Sequence, residues 1–104
     1  RKIDDKTAAF VLEDAYEAIR ESTQSLMSLH GFKPYSHEAT ISFLRKFYSA
    51  DFSEEELQKF DRFRKLRHDS VYKAASVLSE DGQECFHFAL MFVKKLKDLS
   101  KKKV

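Results

Sequence analysis

Two cations interrupt an otherwise apolar stripe between Leu57 and Leu78. Leu57, Phe60, Arg64, Arg67, Val71, Ala74 and Leu78 follow at steps of 3, 4, 3, 4, 3 and 4, the spacing of one helical face. A guanidinium buried on such a face without a partner is strongly destabilising. Either the two arginines open into a water-filled groove, or they meet carboxylates at an interface. Both options make this helix a working surface.

At about 100° per residue, His68 lies roughly 70° to one side of the seam, and Asp61 lies on that same side. Tyr72 follows one turn past His68. Asp61, Arg64, Arg67, His68 and Tyr72 thus form a polar strip with the arginines innermost, while Asp69 falls off it into solvent. Arg is a forked, permanently charged donor suited to phosphate. His exchanges a proton near neutral pH. Tyr donates a hydrogen bond or stacks on a base. Such a set suits holding and cleaving a phosphodiester. It also has an ordinary structural reading, in which Arg64 pairs weakly with Asp61, Arg67 lies at the bundle rim and His68 is half-buried.

The elements that position this strip are helical. Ala8, Leu12, Ala15, Ile19, Ser22, Leu26 and Leu29 alternate at 4 and 3, predicting a first helix from about Asp5 to Leu29 that stops at Gly31. Phe10, Val11 and Ala18 widen its apolar arc. Asp14, Glu17 and Glu21 lie off the stripe, either solvated or answering an arginine across an interface. Pro34 bars helix in the following connector. Ser36 caps a short helix reaching about Tyr48, with His37 and Glu38 in its first turn and Thr40, Phe43, Leu44 and Phe47 inward. Ser53 with Glu56 is a capping box that opens the seam-bearing helix, which runs to about Leu78. Ser79 to Gly82 reads as a turn. Asp81 with Glu84 reads as a second capping box before a helix with the stripe Cys85, Ala89, Phe92, Leu96 and Leu99. Phe86, Leu90 and Val93 widen that stripe, and Lys101 to Lys103 are expected to fray.

A chain of 104 residues is one domain, 1–104, able to bury one modest core. Two Gly, one Pro and 35% charged residues suit an all-α fold, and ten Phe supply core bulk. A net charge of +2 does not itself announce nucleic-acid binding, although Lys94, Lys95, Lys97 and Lys101 to Lys103 load one end. Cys85 is the single cysteine, which fits a reducing cytoplasm. No secretory signal is visible, and no apolar run is long enough to span a membrane. His30, His37, His68, His87 and Cys85 show no metal-ligand spacing, so no metal or cofactor is expected.

The stretch Asp61-Arg62-Phe63-Arg64-Lys65-Leu66-Arg67-His68-Asp69-Ser70-Val71-Tyr72 resembles the arginine motif helix of HEPN (higher eukaryotes and prokaryotes nucleotide-binding) domains. Ala8 through Leu29, Gly31 and the Tyr35-Ser36-His37-Glu38 turn resemble the helix and turn before it. The resemblance implies an all-α, up-and-down bundle of four or five helices, usually a homodimer. In nuclease members an Arg, then four to six residues, then His meet their copies across the dimer as a metal-independent ribonuclease site. Many members are toxins beside a minimal nucleotidyltransferase antitoxin, and others only bind RNA or a partner. Arg67 matches the motif arginine, with His68 where Asn is frequent and Tyr72 in the histidine place. Arg62 would set His68 at an acceptable gap, but it projects away from the seam. A phenol is a poor base at neutral pH. The helix that usually precedes the first in nuclease members is expected before Arg1.

Three expectations follow. In a ribonuclease, Arg64 and Arg67 bind the phosphate, His68 moves the proton, Tyr72 positions, Asp61 supports and the lysine-rich end attracts RNA. In a non-catalytic homodimeric module, the same groove takes RNA, a nucleotide or a nucleotidyltransferase. In a structural dimer, the arginines pair with Asp14, Glu17 or Glu21 of the other subunit.

Overall fold

The computed structural model describes residues 6–33 and 37–103. They form four helices: α1 (Ala8–Leu29), α2 (His37–Phe47), α3 (Glu54–Tyr72) and α4 (Ser79–Lys103). The chain is the all-α four-helix bundle expected. α1 rises, α3 descends against it and α4 rises again, while the short α2 spans the connection between α1 and α3. The expected Asp5 start, the Pro34 break and the Ser36 cap lie outside the described residues.

Two ends are built as their local sequence dictates. At the end of α1, Gly31 takes φ +82°. The Gly31 N–H donates to the Ser28 carbonyl and the Phe32 N–H to the Met27 carbonyl, each at 3.0 Å. This pair of bonds closes the helix and needs a residue without a Cβ at its left-handed position. At the start of α3, Ser53 Oγ accepts from the Glu56 N–H at 3.1 Å, and the Ser53 N–H donates to Glu56 Oε1 at 2.9 Å. The Glu56 carboxylate also receives Lys95 Nζ from α4 at 2.9 Å, which ties the cap to the bundle.

The core is aromatic. Tyr16 packs on Phe60, Phe60 on Phe92, and Phe63 on Phe88, with ring centroids 6.0, 5.5 and 5.5 Å apart. The α4 stripe is buried as expected, from Cys85 through Ala89, Phe92 and Leu96 to Leu99, with Phe88 added. The α1 stripe is buried from Ala8 to Leu26, but Tyr16, Thr23 and Met27 join it, Ser22 is only half-buried and Leu29 is exposed. The widened arcs hold only at Val11 and Val93, which are half-buried. Phe10, Ala18, Phe86 and Leu90 face outward, on the side of the α1–α4 pair that no other helix covers. Phe47 is also exposed, and Ile41 takes its place inside.

The seam helix ends six residues before the expected Leu78. The N–H groups of Lys73 and Ala75 both donate to the Asp69 carbonyl, at 3.0 and 3.1 Å, and Ala74 turns to φ +53°. That turn carries Val77 into the core, and burial of Val77 replaces continuation of the helix. Only Leu57, Phe60 and Phe63 are buried along α3, whereas Val71, Ala74 and Leu78 are exposed. α4 then starts at Ser79, not after Gly82. The Leu78 carbonyl receives the Asp81 and Gly82 N–H groups, so Asp81 sits inside the first turn and does not cap it. Gly82 is no turn residue. A Cβ there would stand 3.1 Å from the Cα, Cβ and carbonyl oxygen of Ala8, so the glycine lets α1 and α4 touch backbone to backbone. Lys101 to Lys103 stay helical.

Candidate functional site

Arg67 leaves α3 toward α1 and is met there by a carboxylate of the same chain. Its Nε donates to Glu13 Oε2 at 2.9 Å and its Nη2 to Glu13 Oε1 at 3.1 Å, the two-pronged geometry that suits a guanidinium. Glu17 Oε1 lies 3.6 Å from the same Nη2. Glu17 is itself gripped by Arg20, through Nη2–Oε2 at 2.6 Å and Nε–Oε1 at 3.1 Å. Beneath this chain of charges lies the ring of Tyr16, 2% exposed, with the Arg67 guanidinium carbon 5.7 Å from its centroid.

The sequence builds this edge simply. Glu13, Tyr16, Glu17 and Arg20 follow at steps of 3, 1 and 3, which places them along one side of α1 next to its buried stripe. α3 packs antiparallel on that side and delivers Arg67 at the height of Glu13. Arg64, one turn earlier, stays on its own helix and donates to Asp61 at 3.1 Å, with Lys65 Nζ 3.3 Å from the same carboxylate.

The electrostatics follow the contacts. The hydrogen bonds that Arg67 donates to Glu13 raise its pKa above its ordinary value, outweighing its partial burial. The hydrogen bonds from Arg20 hold the Glu17 carboxyl below the usual carboxylate range. Partial burial pulls Asp61 upward, but hydrogen bonds from Arg64 and Lys65 outweigh it and its pKa is lowered. Burial pushes the Tyr16 phenol up to about 12, against the pull of Arg67, Arg64 and Arg20.

His68 and Tyr72 stand apart from this lattice. Their rings lie 4.8 Å apart, both well exposed, on the end of α3 that extends past the core. His68 Nδ1 is 3.6 Å from Asp69 Oδ1. The structure thus brings Arg67 and Glu17 together, sets Arg64 and Asp61 beside them, and leaves His68 and Tyr72 outside on the same helix. Asp14 faces a different groove, between α1 and α4, and Glu21 is exposed to solvent. Arg62 is exposed as expected, and it clasps the start of α4 through Asp81 at 2.6 Å and Glu84 at 2.9 Å.

Glu13 and Tyr16 were not among the expected site residues. Their spacing with Glu17 and Arg20 marks one edge of α1, but which edge of α1 meets α3 is set by the fold and not by that spacing. Among the described residues, no group of three His, Cys, Asp or Glu is placed to hold a metal ion. Also among them, no helix is long and apolar enough to cross a membrane. No protein-family model, curated protein or solved structure matches this chain.

Proposed function

We propose that this chain is a non-catalytic binding module of HEPN type, and that the outer end of α3 is the surface it offers to a protein partner. One observation carries this reading. Both carboxylate oxygens of Glu13 occupy the fork of Arg67. That fork is where a phosphodiester would have to bind, and a phosphate entering it must displace a two-pronged carboxylate of the same molecule. Arg64 is similarly spoken for by Asp61. The site is charge-balanced and not strongly cationic, which argues against retention of a polyanion.

What the lattice leaves open is the surface beyond it. Val71 and Tyr72 are 50% and 70% exposed, one turn from His68 and followed by the Ala74 bend. Exposed aromatic and aliphatic groups on a rigid helix are the usual anchors of a protein interface. The HEPN resemblance names the partner class: a minimal nucleotidyltransferase. The test is co-expression with such a protein encoded beside this gene, followed by size exclusion. A stable complex, lost in Tyr72→Asp and kept in His87→Ala, supports the reading. No complex with any adjacent nucleotidyltransferase removes it.

A second reading, a metal-independent ribonuclease, is favoured by one observation. The His68 and Tyr72 rings lie 4.8 Å apart, and His68 directly follows Arg67, one turn past Arg64. In that reading Glu13 yields Arg67 to RNA, His68 moves the proton and Tyr72 positions it. Purified protein incubated with total RNA in EDTA decides it: cleavage abolished by both Arg67→Ala and His68→Ala would establish the nuclease. Intact RNA, or cleavage that survives both substitutions, would remove it.

A further inference from the structure

Away from α3, the α1–α4 pair carries an open groove of about 650 Å³. Ala15, Ala89 and Val93 form its floor, and Phe86 and Leu90 stand on its α4 bank. Phe10 and Leu90, 73% and 59% exposed, are left in water beside it. The two banks carry opposite charge. On α1, Asp14, Ala18 and Glu21 follow at steps of 4 and 3 on one face, and the first two line the groove. On α4, Lys94, Lys97, Asp98 and Lys101 line it, so that bank is cationic on balance. Among the described residues none of Asp14, Glu21, Lys97 and Lys101 makes a salt bridge, while Lys94 and Asp98 pair with each other along the α4 bank at 3.6 Å, which leaves Lys97 and Lys101 as its unmatched charges.

We infer that this groove is the interface of a homodimer, filled by a second copy of the chain related by a two-fold axis along the helices. The argument is one of self-complementarity. α1 and α4 point the same way here, from Ala8 against Gly82 to Ala18 beside Val93 and Lys97. A two-fold axis parallel to them keeps every residue at its own height and exchanges left for right. The acidic α1 bank of each copy then faces the basic α4 bank of the other. Glu21 arrives at the height of Lys94 and Lys97, and Phe10 at the height of Phe86, where it covers the apolar bank. An axis across the helices would set acid on acid and base on base, which is repulsive. An isologous contact requires one surface that fits itself, and this surface does. The inference uses no residue of the α3 surface and does not rest on the function proposed above.

The full chain at micromolar concentration is examined by sedimentation velocity, with circular dichroism as the control for folding. A dimer is expected. Phe10→Glu and Leu90→Glu alter side chains that touch mostly water in the monomer, so each stays folded and weakens the dimer at least about tenfold. Glu21→Lys weakens it as well, and adding Lys97→Glu restores it. A monomer at every concentration, including one that captures some other protein, overturns the inference. So does a dimer indifferent to these variants, or one broken only by Tyr72→Asp.

Discussion

Arg67 and Glu13, 54 residues apart in sequence, close a two-pronged ion pair between α3 and α1 directly over the ring of Tyr16. The pair lies at the rim, with side chains 28% and 36% exposed, so solvent screens part of its attraction. Arg67→Ala should cost about 1–2 kcal/mol, from the lost pair together with the lost cover on Tyr16. Glu13→Gln should cost less, about 0.5–1 kcal/mol, because Glu17 remains near the guanidinium. Urea unfolding of both single variants and the double variant measures the coupling. Strict additivity would mean that the pair contributes nothing.

Acid should destabilise the fold in a defined window. Glu17, held down by Arg20, has a folded pKa below its ordinary 4.5. Glu56 is also lowered: burial pulls it up, but the bonds from Lys95 and Ser53 outweigh that. As pH falls, the unfolded chain therefore takes up protons at these sites before the folded chain does. Their stabilisation is full above about pH 5 and is lost as pH falls through the folded values. Tyr16 gives the opposite limb. Its folded pKa of about 12 exceeds the ordinary 10.0, so its contribution is full below pH 10 and is lost as pH rises toward 12. Urea midpoints across the pH range, with tyrosinate absorbance at the alkaline end, test both limbs. A fold that gains stability on acidification from pH 5 to 3 would contradict the carboxylate assignments.

Where structure is local, the sequence was enough to read it. The Ser53–Glu56 box and the Gly31 stop each lie within about one turn, and the α4 stripe repeats from one turn to the next along a single helix. Three features escaped because their causes lie far along the chain. The apolar period runs through Val71, Ala74 and Leu78, but burial of Val77 in the core ends the helix early. Gly82 looks like a turn residue beside Asp81, yet it serves the backbone of Ala8, 74 positions away by number. Arg64 and Arg67 were legible as cations needing partners. That Arg67 would choose Glu13 depended on which edge of α1 faces α3, which spacing alone leaves open.

Ala74 is the one non-glycine residue with positive φ among the described residues, at +53°. A Cβ in that conformation costs about 1–2 kcal/mol. Ala74→Gly should therefore raise stability by up to about 1 kcal/mol, the gain being reduced by the greater freedom of glycine in the unfolded chain. Gly31→Ala, at φ +82°, should lower it by about 1 kcal/mol. Thermal melts of the two variants should shift in opposite directions, and a shared direction would contradict the two backbone assignments.

Cys85 is fully buried, and burial pushes its thiol pKa up to about 12. A thiol reacts as its thiolate. In native buffer near neutral pH, Cys85 should resist an aromatic disulfide reagent, and in denaturing urea it should react fully within the mixing time. The native rate then reports opening of α4 away from α1 and α3, and it should rise in parallel with the destabilisation caused by Arg67→Ala. Rapid labelling of the unperturbed native protein would show that the core around Cys85 is more open than its burial implies.

Gly82 allows the tightest test of the packing. In an exposed helix, replacing Gly by Ala stabilises by about 1 kcal/mol. Here the added methyl would meet the Cα, Cβ and carbonyl oxygen of Ala8, all at 3.1 Å. These are not the tip of a flexible side chain that can swing aside, so α1 must shift by a few tenths of an ångström to admit it. The propensity gain and the overlap are of similar size, and Gly82→Ala should leave stability within about 1 kcal/mol of the parent. A larger side chain cannot be accommodated by so small a shift. Gly82→Leu should push the starts of α1 and α4 apart and cost about 2–3 kcal/mol. The same variant should expose Cys85, three residues along α4, and speed its labelling. A Gly82→Leu protein as stable as the parent would mean that the close approach of Ala8 and Gly82 does not hold the two long helices together.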